Sequence, residues 1–198
     1  MYVSPMAYPA ELELDADLRI ANWRPLVHWL LVIPHMIVVQ VLGYVAPVVA
    51  VISWFAIVFT GALPAGLANV QCMIIRYGAR TYSYGLWLRQ PYPPFEFATT
   101  PEDPGGDPLR VELRPALEGR NRLTVALRLL WVIPAAVFVM VLLVGAAVAA
   151  FLSFFAVLFT GRYPAGLRDF VVKVGLACLR VAAYTYLLTD EYPPFALE

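Results

Sequence analysis

The chain contains two long apolar stretches separated by shorter segments in which polar residues recur. No Asp, Glu, Lys or Arg occurs in 25–60 or in 129–161. One helix over the 36 residues of the first stretch would be about 54 Å long, whereas the hydrocarbon core of a bilayer is about 30 Å thick. Tilt alone cannot absorb that excess. Each stretch is therefore predicted to be a transmembrane helical hairpin, at about 26–60 and about 126–160.

The turn of the first hairpin is predicted at 43–47, because Gly43 breaks the helical pattern and Pro47 suits the first turn of a second leg. The second stretch offers only Gly145 as a break, so its turn is inferred from the first. Pro34 and Pro134 fall inside the first legs and are predicted to kink them.

Each apolar stretch is followed by a segment whose polar residues recur at helical spacing, at 66–89 and at 166–189. On a helix these residues form one stripe. The stripe comprises Asn69, Met73, Arg76, Arg80 and Tyr84 in the first segment, and Asp169, Lys173, Arg180 and Tyr184 in the second. Such amphipathic helices either lie in the membrane interface or span the membrane with the stripe facing the bundle. Basic residues are costly at the bilayer centre, which favours the interface.

Short alternations of apolar and polar residues at 11–15 and 109–114 indicate half-buried strands. Briefer alternations follow each YPPF sequence, at 95–97 and 195–198. Because a ribbon of two strands is marginal by itself, we expect strands from both halves of the chain to join in one small sheet at the membrane surface.

The two halves of the chain are copies of each other. The sequence FTGALPAGL at 59–67 recurs as FTGRYPAGL at 159–167, and residues 31–95 and 131–195 are identical at 26 of 65 positions. A duplication of this kind fixes the domain plan. We expect repeat 1 at 1–98, a linker at 99–108 and repeat 2 at 109–198. Each repeat is predicted to run strand, transmembrane hairpin, amphipathic helix, strand.

Composition supports a mainly α-helical integral membrane protein. Hydrophobic residues make up 61% of the 198 residues and charged residues 14%, whereas soluble domains carry about 25% charged residues. The net charge of zero gives no electrostatic case for a nucleic-acid partner. Basic residues flank the side that carries the N-terminus, the linker and the amphipathic helices, while the hairpin tips are uncharged. We therefore expect a multi-pass protein with both termini in the cytoplasm.

Candidate chemistry is sparse. His28 and His35, the only histidines, lie seven residues apart on one helical face, too far apart to share a metal. They are interpreted as packing residues, although separate haem ligation or proton relay is the alternative. Arg80 and Arg180 occupy equivalent positions in the repeats, accompanied by Arg76 and Lys173. We predict that these four bind an anionic lipid headgroup, with pairing to carboxylates of the surface sheet as the alternative. No cofactor, metal site or catalytic residue is predicted.

Several short motifs in the chain resemble those of a known family. They are YPAELELD at 8–15, IPH at 33–35, WFAIVFTG at 54–61, RYPAGL at 162–167 and TDEYPPF at 189–195. With these motifs the chain resembles a family of bacterial membrane proteins that is classed as a domain of unknown function and is often duplicated in tandem. The resemblance implies an integral membrane protein and supplies no catalytic residue. Repeat 1 departs from the family's usual GRYP at Ala62 and Leu63, and repeat 2 has Ala135 where the family often has His.

The function that these observations favour is a non-enzymatic membrane module that scaffolds or stabilises a larger membrane assembly or organises lipid. Its expected partners are membrane lipids together with another membrane protein or a second copy of the chain. The alternative is an oligomeric channel or transporter, since tandem repeats build many transporters. The family resemblance implies the bacterial plasma membrane as its location.

Overall fold

The computed structural model describes residues 8–100 and 102–197, and helices dominate them. The elements in chain order are β1 (Ala10–Leu14), α1 (Arg24–Leu31), α2 (Ile33–Thr60), α3 (Ala65–Gly85), β2 (Leu109–Leu113), α4 (Arg122–Ala126), α5 (Arg128–Thr160) and α6 (Ala165–Thr185). Each half therefore runs strand, short helix, long helix, medium helix. This order confirms the mainly helical fold and the two tandem repeats.

The long helices α2 and α5 are continuous, so the predicted hairpins at about 26–60 and 126–160 are wrong. In an apolar environment a turn would leave backbone groups without partners, and a continuous helix keeps them bonded. Pro47 lies inside the continuous α2, and Gln71 of α3 donates a 2.7 Å hydrogen bond to the carbonyl of the preceding residue, Ala46. Gly145 has a packing role instead, because a Cβ there would lie 3.1 Å from the ring of Phe170 on α6.

The two prolines predicted to kink the first legs behave differently from each other. Pro34 lies in the first turn of α2, after a break at Val32 that separates α1 from α2. Proline is well tolerated in the first turn of a helix because its missing N–H would be unbonded there in any case. Pro134 lies inside α5, which starts at Arg128 after the short helix α4. Each long helix is thus preceded by a short one.

The strands of the two repeats form one antiparallel pair, β1 with β2, in a register that places Leu12 opposite Val111. This confirms a small sheet built from both repeats. The predicted strands at 95–97 and 195–198 are not strands in the part that the structure describes, which ends at 197. Their aromatic residues pack on helices instead, with Phe95 stacked on His35 of α2, Phe97 on Tyr77 of α3, and Phe195 against Phe138 of α5.

The repeats interlock at the turns that end the long helices. Gly61 and Gly161 adopt left-handed conformations, with φ of 79° and 67°. The carbonyl of Gly161 accepts a 3.0 Å hydrogen bond from the amide of Ile20, and that of Gly61 accepts a 3.2 Å hydrogen bond from Arg120. Each turn therefore docks on the segment that leads into the other repeat. Trp54 adds a 3.0 Å hydrogen bond from its indole N–H to the carbonyl of Val125.

Helices α3 and α6 pack against α2 and α5, respectively, and the sheet packs on both. They correspond to the amphipathic helices predicted at 66–89 and 166–189 but end four residues earlier. The chain turns there because Trp87 and Leu187 adopt left-handed conformations. The amide of Leu88 then bonds the carbonyl of Ser83 at 3.0 Å, which closes the helix end.

Within the described residues, two helices are long and apolar enough to cross a membrane, Ile33–Thr60 and Arg128–Thr160. In the most apolar 18-residue stretch of each helix, only 22% of the residues are buried, whereas the core helix of a soluble protein is mostly buried. The predicted orientation assumed uncharged hairpin tips. Since α2 and α5 are continuous, that assumption no longer holds, and the positions of the termini stay a prediction.

Candidate functional site

The polar stripe of α3 faces the protein interior. Arg76 and Arg80 are each only 3% exposed. A helix lying in the membrane interface with this stripe outward would present both side chains to lipid headgroups. The stripe is instead in contact with the chain that follows α3, including the linker, and this placement differs from the expectation.

Arg80 is surrounded by carboxylates of that following segment. Its Nη1 donates to Glu96 Oε2 at 2.6 Å and its Nη2 to Asp103 Oδ1 at 2.7 Å. Its Nε lies 3.9 Å from Asp107 Oδ2. Ion pairing was the alternative role for this residue, but the partners come from the linker and the segment before it rather than from the sheet. Arg76 lies beside the same group, with its Nε 3.8 Å from Asp103 Oδ2.

The linker is folded tightly around these charges. Asp103 accepts hydrogen bonds from the amides of Gly105 at 2.8 Å and Val111 at 2.9 Å. Asp107 accepts from the amide of Leu109 at 2.8 Å and pairs with Arg89, a fully buried side chain. A buried charge that loses its partner is strongly destabilising, so these pairs hold the linker in one position.

The equivalent place in repeat 2 has different chemistry. The symmetric register of β1 and β2 makes Tyr8 the counterpart of Asp107. The guanidinium carbon of Arg180 lies 5.4 Å from the centre of the Tyr8 ring, and the Tyr8 hydroxyl donates to the carbonyls of Arg180 and Glu191. Burial raises the pKa of Tyr8, which keeps that hydroxyl protonated. No carboxylate of residues 8–100 or 102–197 forms an ion pair with Arg180.

The four predicted anion-binding residues therefore do not form one site. Arg76 and Arg80 lie together in a group balanced by carboxylates. Arg180 is partly buried and Lys173 is exposed, both on α6 of the other repeat. Anion binding by this set stays a prediction, and Arg180 and Lys173 are the members for which no ion pair with a described carboxylate is found.

A second ion group joins the start of α5 to the end of α6. Arg120 donates two hydrogen bonds to the Asp190 carboxylate, one of 3.0 Å from Nε and one of 2.8 Å from Nη2. Arg128 donates to the same carboxylate and stacks on Tyr184, with 3.9 Å from its guanidinium carbon to the ring centre. Burial alone would raise the pKa of Asp190. The hydrogen bonds and charges of its partners outweigh burial and hold the pKa below its usual value.

Repeat 1 has uncharged side chains at all three places, where Ile20 corresponds to Arg120, His28 to Arg128 and Gln90 to Asp190. His28 stacks on Tyr84 with 4.0 Å between ring centres, just as Arg128 stacks on Tyr184. Its Nδ1 lies 3.1 Å from the carbonyl of Tyr84. Burial, helped by the nearby charge of Arg24, lowers the pKa of His28 to about 4. The neutral imidazole is therefore part of the packing.

His35 is also fully buried, and its Nδ1 lies 2.7 Å from the hydroxyl of Tyr77. The ring stacks on Phe95 with 4.1 Å between centres and contacts Tyr92. Both histidines thus lie in packed surroundings, as the packing interpretation expects. Cys72 and Cys178 are free thiols. No group of three or more His, Cys, Asp or Glu side chains suited to a metal ion occurs among the described residues.

A family model matches the chain twice, at residues 22–96 and 122–196. The chain belongs to the family described as a domain of unknown function, DUF4389. No curated protein and no solved structure matches it. The DUF4389 segments contain the long helices and α3 and α6. They leave out both strands and the linker that carries Asp103 and Asp107.

Sequence reasoning missed most of the ion groups. Arg89, Arg120, Arg128 and Asp190 lie near the ends of helices, where a charged residue ordinarily faces solvent. One available signal was the placement of Arg120 and Arg128 eight residues apart, on the same face of a helix-like segment directly before an uncharged stretch. Their shared partner Asp190 is 62 residues from Arg128, and spacing alone gives no indication of that contact.

Proposed function

We propose that this DUF4389 protein is a non-enzymatic membrane module that organises lipid and provides a rigid scaffold for a larger membrane assembly. The observation that carries the proposal is the apolar surface of α2 and α5. Large apolar side chains are exposed along both helices, from Ile33 to Phe59 and from Leu129 to Phe159, and no charge interrupts them after Arg128.

Such a surface is incompatible with contact to water over its whole length. The largest apolar patch of a typical soluble monomer measures about 300–600 Å². Each Val, Leu, Ile or Phe side chain moved out of water contributes about 1.5–3 kcal/mol. Val48, Val144 and Phe151 near the middle of the two helices are 58%, 66% and 63% exposed, so the driving force extends to the helix centres. Hydrocarbon is the environment that satisfies them.

The dimensions of the helices and the residues at their ends support the same proposal. The 28 residues of α2 extend about 42 Å, close to the total bilayer thickness of about 40–45 Å including headgroups. The 33 residues of α5 extend about 50 Å, and its first turns before Pro134 fit the interface. Trp23, Trp29 and Trp131 are more than half exposed near the N-terminal ends, where aromatic belts occur.

The scaffold part of the proposal is supported by the way polar side chains are used. Arg80, Arg89, Arg120 and Arg128 each pair with a carboxylate inside the protein. These pairs hold the linker against the end of α3 and the end of α6 against the start of α5, and leave their charges engaged with one another. Multi-pass insertion in the plasma membrane, with cytoplasmic termini, belongs to the same proposal.

Membrane extraction tests the proposal. We expect the wild-type protein to resist alkaline carbonate extraction. Val48→Asp should shift it towards the soluble or aggregated fraction, because an acidic residue at the centre of a membrane helix costs about 2.5–3.5 kcal/mol. Leu123→Asp is the matched control, since Leu123 is 70% exposed but lies outside the long helices. Extraction of the wild-type protein by carbonate would overturn the proposal. Selective conductance of the purified protein in liposomes would replace it with the channel alternative.

A further inference from the structure

A cavity of about 580 Å³ lies between the two repeats. Its walls come from α3 and α6, with contributions from α2 and α5 and from the sheet residues Leu12 and Leu109. Equivalent positions of the duplication line it from both repeats, such as Ala46 and Ala146. Its volume is within the range of about 300–1,000 Å³ that small-molecule sites occupy.

The lining of the cavity is almost entirely apolar. No charged residue contributes to it, and its polar members are Ser83, Cys178 and the tyrosines Tyr82 and Tyr186. The Ser83 hydroxyl donates to the carbonyl of Arg80 at 2.8 Å, so it already has a partner. Atoms that line a space of this size lack van der Waals partners on the side facing it, and an apolar cavity does not hold water well. The occupant that fits is a flexible, uncharged, apolar one.

Glycines keep this space open. A Cβ built on Gly175 of α6 would meet no atom within 4 Å, and one on Gly78 of α3 would meet only the ring of Tyr82, at 3.9 Å. These distances differ from that at Gly145, where the 3.1 Å approach of Phe170 shows a glycine required by close packing. Gly175 and Gly78 therefore leave volume that the protein itself does not fill.

The cavity is continuous with the apolar outer surface. Gly43 and Leu143 line it and are also exposed, and both lie near the middle of their helices. If α2 and α5 are embedded as proposed above, this opening lies at the depth of lipid tails. We propose that the cavity holds an acyl chain of a membrane phospholipid, which enters tail first between α2 and α5. A free fatty acid fits less well, because the lining offers no cation for its carboxylate.

Photocrosslinking in nanodiscs tests this inference, which rests on the proposed function. The probe is a phosphatidylcholine with a diazirine near the end of one palmitoyl chain, diluted into palmitoyl-oleoyl phosphatidylcholine. Modified residues are located by mass spectrometry. We expect crosslinks on the outer faces of α2 and α5 and also on the inner walls, at 74–86 and 171–182. Gly175→Leu should reduce the inner crosslinks about tenfold, because its side chain takes the place of roughly two methylenes of the lipid.

Gly166→Leu is the matched control. Gly166 is on the same helix, and a Cβ there also meets nothing within 4 Å, but it does not line the cavity. Both substitutions replace a helical glycine by leucine, Gly166 in the first turn of α6 and Gly175 in its middle. The inference is overturned if the wild type shows outer crosslinks but no inner ones. It is also overturned if Gly175→Leu leaves the inner crosslinks unchanged. Absence of the outer crosslinks would instead overturn the proposed function.

Discussion

The ion group around Asp190 makes a strong prediction for protein stability. Asp190→Asn keeps the shape of the side chain but leaves Arg120 and Arg128, whose side chains are 1% and 3% exposed, without an anionic partner. Removing one member of a buried ion pair costs about 3–5 kcal/mol. Since the Asp190 side chain is 25% exposed and water can reach it, we expect the lower end of that range, about 3 kcal/mol.

For a chain of this length, 1 kcal/mol corresponds to a change in melting temperature of about 2–4 °C. Asp190→Asn is therefore expected to melt roughly 6–12 °C below the wild type. The assay is thermal unfolding in detergent, followed by tryptophan fluorescence at pH 7 and constant salt. Glu191→Gln is the control, because the Glu191 side chain is exposed and the substitution should change stability by no more than about 0.5 kcal/mol.

A graft from repeat 1 refines the test. Its residues at the three equivalent positions are Ile20, His28 and Gln90, which together leave no unpaired cation. The triple variant Arg120→Ile, Arg128→His, Asp190→Gln should therefore be more stable than Asp190→Asn, although it carries more substitutions. If Asp190→Asn melts within about 2 °C of Glu191→Gln, the reasoning from buried charge is refuted.

Further predictions concern His28 and two arginines, Arg80 of α3 and Arg180 of α6. The pKa of His28 is lowered to about 4 in the folded protein, so below about pH 6.5 the unfolded chain binds a proton that the folded protein does not. Stability is therefore expected to decrease as the pH is lowered from 6.5 to 4. His28→Gln should flatten the dependence of melting temperature on pH in that window, and equal slopes would contradict the assignment. Arg80→Gln should lower the melting temperature more than Arg180→Gln, because it removes the guanidinium that donates to both Glu96 and Asp103. Arg180→Gln should weaken retention of phosphatidylglycerol about fivefold, measured by native mass spectrometry, and an equal loss in both variants would refute this asymmetry.

The parts of the fold that follow from local pattern were predictable from the sequence. The duplication, helices α3 and α6, and a sheet shared between the repeats were indicated by recurring motifs and by periodicity. The continuity of α2 and α5 was not predictable in the same way. Length relative to the bilayer suggested a turn at 43–47, but the helix continues through Gly43 and Pro47. A proline and a glycine indicate only a possible break, and the surroundings decide whether the backbone bonds can be given up.

The candidate site was harder to predict because its contacts join distant segments. The stripe containing Arg80 was recognised from helical spacing, but spacing does not show which side of a helix is covered. That depends on where the linker folds, and Asp103 lies 23 residues beyond Arg80. The cavity was unpredictable for the same reason, since Gly78 and Gly175 belong to different repeats and become neighbours of one space only in the folded protein.

The symmetric pairing of β1 with β2 has a consequence for the ancestry of the chain. The register is self-complementary about Leu12 and Val111, so it is the pairing that one strand would make with its own copy across a twofold axis. A single repeat would leave its strand edge unpaired and its end turn undocked, and a second copy would supply both partners. The present chain therefore has the geometry of a fused homodimer. Fusion also removes the requirement that both halves be identical. His35 of repeat 1, for example, corresponds to Ala135 in repeat 2.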